Sequence, residues 1–220
     1  MTVPAVPWLV RPADRVLTPN RYHAGNQPGY VLPVELLVLH YTGGYGFEGS
    51  ARWLANLVKD KAGNVVPAKA SAHLIVGRGG EVVQLAPLTD RTWHAGGGSS
   101  RWRGKPVNGR SIGIEIANLG WLKRQPDGRI LDAWGKAYTG PVFTEAAGGL
   151  WEPFPDAQLE AVAWLVSSLV GLFPVLALED QAAGELPRIC GHQDVDPTRK
   201  VDPGPAFPLE LIRRHAQGRP

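Results

Sequence analysis

The sequence predicts one mixed α/β domain, with a central sheet and helices packed on its faces. Three segments carry that prediction. VELLVLHYT, from Val34 to Thr42, is a near-continuous apolar run, the pattern of a central strand covered on both sides. RSIGIEIAN, from Arg110 to Asn118, alternates along its length, which marks a second strand. Ala157 to Leu172 is apolar nearly all round, as a buried helix is.

The other elements follow in chain order. Residues 1–33 are rich in proline and glycine and predict a segment that wraps the surface. After the first strand and its Gly-Gly, a helix is expected from about Ser50, with Trp53, Leu54, Leu57 and Val58 on one face. SAHLIVGRGGEVVQLAP reads as a hairpin turning at Gly77–Gly80, where glycine supplies the positive φ of a tight turn. Residues 119–155, rich in Gly, Trp and Pro, read as an irregular insertion. Asp156 is placed to cap the long helix. PRICGH reads as a last strand and PLELIRRH as a short terminal helix. No repeat or low-complexity linker divides the chain, so residues 1–220 are expected to form a single domain with its core at about 34–207.

Composition narrows the function. A chain of 220 residues is long enough to bury roughly 70% of its unfolded surface. At 44% hydrophobic and 20% charged it is an ordinary globular chain. The net charge of +3 is spread without a dense arginine or lysine run, which argues against a nucleic-acid groove. A single cysteine, Cys190, excludes an internal disulfide framework and a multi-thiolate zinc site. The N-terminus lacks a basic start and its apolar run is broken by prolines. No secretory signal is therefore expected, and synthesis is placed in the cytoplasm. Ala161–Leu178 reaches the lower limit for a membrane span. Ser167, Ser168, Gly171 and Pro174 instead make it a buried helix running into a turn, so no membrane insertion is expected.

Two of the six histidines stand out by context. His40 closes an apolar strand just before Tyr-Thr-Gly-Gly, and His192 follows Arg-Ile-Cys-Gly in the same way. The ends of central strands are where open α/β sheets build their sites. Two such histidines meeting there could bind zinc, given a third ligand and a position left for water. Asp194, Asp196 and Asp202 are all open as that third ligand, although Asp202 lies in the stiffer stretch before Pro-Gly-Pro. His73, mid-strand, reads as structural. Cys190 shares the strand face of His192, and a buried apolar role is expected for it. In the Arg110–Asn118 strand, Ile112, Ile114 and Ile116 share one face while Gly113, Glu115 and Ala117 share the other. A charge among small residues is compatible with the floor of a groove.

Four ordered blocks, LLVLHYTGG, SAHLIVGRGGEVVQLAPLTDRTWHAG, NGRSIGIEIAN and GHQDVDPTRKVDPGP, resemble the zinc-dependent N-acetylmuramoyl-L-alanine amidases, which share their fold with peptidoglycan recognition proteins. The resemblance runs from about Val34 to about Phe207. It implies one zinc ion held by His40, His192 and Asp202, with Asp194 and Asp196 left as loop residues. It implies Glu115 as general base and acid, Lys200 as the cation that meets the oxyanion, and Trp93, His94 and Asn108 as substrate-binding residues.

The implied reaction is hydrolysis, by zinc-activated water, of the amide between N-acetylmuramic acid and L-alanine in peptidoglycan or muropeptides. The implied partner is that substrate alone, and the protein is expected to be a monomer. The alternative is a non-catalytic peptidoglycan-binding module of the same fold, which usually lacks part of the zinc set. The setting is open between recycling of wall fragments in the cytoplasm and a phage or prophage lysin released to the cell wall. The 119–155 segment departs from compact members of the family. Its Trp121, Trp134 and Trp151 either stack on sugar rings or cap the core, and the second reading is favoured.

Overall fold

A computed structural model of the chain describes residues 15–16, 33–44, 46–66, 68–96, 102, 106–180, 182 and 184–218. The wrapping segment expected over 1–33 thus lies outside the described residues, apart from Pro33 and a two-residue strand.

The central sheet has six strands: β1 (Arg15–Val16), β2 (Leu36–Tyr41), β3 (Leu74–Val76), β4 (Val82–Gln84), β5 (Ser111–Ile116) and β10 (Ile189–Gly191). Their order across the sheet is β1-β4-β3-β5-β2-β10. The hairpin β3–β4 is antiparallel, while β3, β5, β2 and β10 run parallel. Gly80, with φ of 91°, makes the predicted hairpin turn, a conformation that costs glycine little.

Each face of the sheet has its own core. Leu37, Leu39, Ile112, Ile114, Ile116 and Ile189 pack beneath helix α2 (Asp156–Leu172) and helix α4 (Leu209–Ala216), through Val162, Leu165, Val166, Leu169 and Ile212. This is the isoleucine face expected from alternation. On the opposite face, Leu36, Val38 and Cys190 bury against Trp102, Val107, Leu186 and Val195. Helix α1 (Phe47–Leu54) covers Ile75, Val83 and Leu85 with Ala51 and Leu54. His40 and Glu115 lie on this same face, near the C-terminal ends of β2 and β5. Those positions remain for chemistry.

Three expectations are corrected. Helix α1 starts at Phe47 and stops at Leu54, so Trp53, Leu54, Leu57 and Val58 do not share a helical face. Trp53 is exposed, and Leu57 packs from the turn that follows. Pro155, not Asp156, occupies the cap position of α2, and no side chain caps that end. Asp156 sits in the first turn, where its charge favours the positive end of the helix.

Residues 119–155 are not irregular. They form a second sheet of four short strands, β6 (Trp121–Arg124), β7 (Ile130–Leu131), β8 (Phe143–Thr144) and β9 (Leu150–Trp151), in the order β7-β6-β9-β8. Strands of two to four residues are too short for alternation to register in a sequence.

The buried helix does run into a turn, a short 3-10 segment at Pro174–Ala177. Among the described residues, no helix is long and apolar enough to cross a membrane.

Candidate metal centre

Three parallel strands deliver the site. His40 is the penultimate residue of β2, and Glu115 is the penultimate residue of β5 directly opposite it. Strand β10 ends at Gly191, and His192 opens the short helix α3 (His192–Val195) immediately beyond it. Asp202 comes from the loop after α3. That loop is held in place by Gln193, whose backbone N–H donates to the Asp202 carbonyl at 2.8 Å.

The ligand atoms converge. His40 Nδ1 lies 3.0 Å from His192 Nδ1 and 3.0 Å from Asp202 Oδ2, and His192 Nδ1 lies 3.1 Å from Asp202 Oδ2. All three residues are buried and form a metal-competent group. Hydrogen bonding alone does not satisfy this triangle. The carboxylate could accept from both imidazoles, but the two Nδ1–H groups would then oppose each other at 3.0 Å. A cation removes the conflict, because each Nδ1 then presents a lone pair. Bonds of about 2.0–2.1 Å in a tetrahedral zinc site set ligand atoms roughly 3.3 Å apart, close to the observed spacing. The donor set therefore fits zinc.

Electrostatics agree with that reading. Burial lowers the His40 pKa to about 4 against the opposing pull of the Asp202 carboxylate, so the imidazole is neutral and ligand-ready at pH 7. Burial alone would raise Asp202, but the neighbouring His192 and His40 imidazoles outweigh it and hold the carboxyl below the usual range. Asp202 is therefore a carboxylate.

Glu115 is the opposite case. Burial and the negative Asp202 push its pKa up to about 8, with Lys200 acting against them. Its Oε2 is buried with no hydrogen-bond partner among the described residues. A carboxyl oxygen left unpartnered beside this triad is placed to exchange protons with a bound molecule.

The two nearer aspartates make local hydrogen bonds. Asp194 Oδ2 accepts the Gly191 N–H at 2.9 Å. Asp196 accepts from Thr198 Oγ1 at 3.0 Å and Arg199 Nε at 2.9 Å, closing the turn that presents Lys200. Cys190 is buried in the apolar cluster, and burial raises its thiol pKa.

The triad, Glu115 and Lys200 line one cleft of about 950 Å³, together with His94, Trp53, Trp121 and Trp134. Of the three tryptophans in the second sheet region, only Trp151 is buried, at 8% exposure. Trp121 and Trp134 are 40% and 72% exposed. The indole N–H of Trp134 donates to the Gly43 carbonyl at 2.6 Å, which pins the ring to the cleft wall.

Two residues carried over as substrate contacts lie elsewhere. Asn108 is buried, accepting the Ala95 N–H at 2.9 Å and donating to the Gly96 carbonyl at 3.3 Å. It ties down the loop that carries His94. Trp93 stacks under Arg91, whose guanidinium is 4.3 Å from the ring centroid, and it does not line the cleft. Ser111 was not singled out in the sequence. It touches His94 at 3.1 Å, and its only signal was a shared strand face with Gly113 and Glu115.

The fold and the triad define a class: a single α/β domain in which two histidines at the ends of parallel strands and a loop carboxylate form a group that could hold a metal ion. The chain belongs to the N-acetylmuramoyl-L-alanine amidase family Amidase_2, whose model matches residues 30–205. It is 33% identical over 147 residues to the 1,6-anhydro-N-acetylmuramyl-L-alanine amidase AmpD of Enterobacter cloacae, covering 66% of this chain and 56% of that protein. To the N-acetylmuramoyl-L-alanine amidase AmiD of Escherichia coli K12 it is 29% identical over 188 residues, covering 84% of this chain and 54% of that protein. The chain thus spans little more than half the length of these curated relatives.

Solved structures agree on the fold. The crystal structure of a selenomethionine AmpD derivative matches with a TM-score of 0.61 at 25% identity, over 98% of this chain and 99% of that one. AmiD from E. coli in complex with the substrate anhydro-N-acetylmuramic acid-L-Ala-D-gamma-Glu-L-Lys matches with a TM-score of 0.54 at 28% identity. That match covers 83% of this chain and 57% of the other.

Proposed function

We propose that this chain is a zinc-dependent amidase that hydrolyses the bond between N-acetylmuramic acid and L-alanine in peptidoglycan or muropeptides. The observation that carries the reading is the convergence of His40 Nδ1, His192 Nδ1 and Asp202 Oδ2 within 3.0–3.1 Å. Family membership and the muramyl-peptide complex of AmiD support the substrate class. A cleft of about 950 Å³ has room for a ligand of that size.

His40, His192 and Asp202 would hold the ion. When bound, zinc supplies a Lewis acid that polarises water and carbonyl oxygen. Glu115 takes the proton of the attacking water and hands it to the departing amide nitrogen, the task of a group poised near neutral pH. Its raised pKa of about 8 refers to the protein alone, and a nearby cation favours the carboxylate and brings it down. The Lys200 ammonium, in the same cleft, stabilises the oxygen that becomes negative as the carbonyl is attacked. The exposed faces of Trp121 and Trp134 form an apolar wall for the sugar.

A binding module of the same fold is disfavoured by the completeness of the set. The buried Glu115 carboxyl carries a desolvation cost that binding alone does not need. The test is release of L-alanine-headed peptides from purified muropeptides. Release that is lost in Glu115→Ala, with zinc still bound, supports catalysis. A wild-type protein that binds muropeptide and releases nothing favours the binding module.

A further inference from the structure

We infer that His94 is a positioning residue for the metal ligand His40, acting by holding it in the tautomer that presents Nδ1 to the ion; this rests on the zinc reading above. A chain of hydrogen bonds sets the protons one after another. It starts at the Val107 carbonyl, which can only accept. Ser111 Oγ lies 2.7 Å from it and donates its proton there. With that proton committed, Ser111 Oγ accepts from His94 Nε2 at 3.1 Å. A neutral His94 protonated at Nε2 carries its lone pair at Nδ1. That lone pair faces His40 Nε2 at 3.1 Å, so His40 carries its proton at Nε2. Its Nδ1 is left bare, at 3.0 Å from both His192 Nδ1 and Asp202 Oδ2.

The surroundings hold His94 where the relay needs it. Gly113 leaves space for the ring, since a Cβ there would lie 2.4 Å from His94 Cγ. The rings of His40 and His94 meet edge to face at 5.2 Å, and Asn108 pins the backbone on both sides of Ala95. The other imidazole ligand has no such support, because His192 Nε2 is buried without a hydrogen-bond partner among the described residues. The two histidines are therefore unequal, and His40 is the one whose orientation is imposed. Outer partners of this kind typically contribute about 10–100-fold to metal affinity.

The experiment compares zinc affinity, by competition with a chromophoric chelator, in wild type, His94→Asn, His94→Gln and His94→Ala. The full-length metal-free proteins are used, with folding checked by circular dichroism. Asparagine can place its Oδ1 where His94 Nδ1 stands and accept the same proton, whereas glutamine reaches toward the Ser111 side. Asparagine is expected to keep most of the affinity, while glutamine and alanine lose about 10–100-fold. Equal affinity across the folded variants, or a raised KM with unaltered zinc affinity, would overturn the inference and return His94 to substrate contact. If alanine does not fold, the asparagine–glutamine contrast decides. Wild-type protein that binds no zinc would defeat the metal reading, and this inference with it.

Discussion

His40 and Glu115 are register partners on adjacent parallel strands, β2 and β5, so their side chains rise from the same face of the sheet. One belongs to the ligand triad. The other is a buried carboxyl with an unpartnered oxygen. This pairing sets the two side chains side by side through the backbone ladder. Glu115→Gln should abolish peptide release while the protein still takes up zinc, as measured by metal analysis after gel filtration. Loss of zinc together with activity would make Glu115 a ligand instead.

The same residue predicts a pH effect on the metal-free protein. The folded pKa of Glu115 is about 8, against an ordinary glutamate value of 4.5. Between those values the native state binds more protons at this site than the unfolded chain does. Stability from this group is therefore full below about pH 4.5 and declines as pH rises towards 8. Glu115→Gln removes the effect. In denaturant titrations of the apo forms, the variant should gain on wild type as pH rises, by on the order of a few kcal/mol. A difference that does not change with pH would place Glu115 in a more polar environment.

The three aspartates between His192 and Pro203 should separate. Asp202→Ala should lower zinc affinity by more than the roughly 10–100-fold typical of an outer-shell change. Asp194→Ala and Asp196→Ala, which remove the cap on the Gly191 N–H and the contacts to Thr198 and Arg199, should largely keep it. Isothermal titration with zinc reads all three.

Lys200 tests the oxyanion role. Lys200→Ala should reduce kcat by about 10²–10³, the usual effect of losing one such donor, with zinc affinity little changed. Steady-state kinetics at saturating zinc distinguish this from a rise in KM alone, which would make Lys200 a substrate-binding group.

The exposed indole of Trp134 bears on the substrate. Trp134→Ala should raise KM for a sugar-bearing muropeptide roughly tenfold, equivalent to about 1.4 kcal/mol of lost contact. The effect should be smaller on a substrate that lacks the sugar beyond the cleaved bond. Equal effects on both would assign the wall to the peptide.

The strands that position the site were legible in the sequence because their signals are strong and local. VELLVLHYT carries one unbroken apolar run, and the Ile112, Ile114, Ile116 series alternates cleanly. Spacing did not choose Asp202 over Asp194 and Asp196; resemblance did, and the geometry shows why. Asp202 is ten residues from His192 in sequence, yet their side chains meet at 3.1 Å, a distance set by a loop with no periodic signature. The second sheet escaped notice because its strands are two to four residues long. Ser111 and the role of Asn108 were hidden for another reason: both act through hydrogen bonds to partners made neighbours only by the fold.

The most direct test of the central claim is peptide release from purified muropeptides by metal-free protein before and after zinc is restored. The account predicts no release without metal, and full recovery with about one equivalent of zinc per chain. Metal-free protein that hydrolyses the bond as fast as the zinc form would contradict it.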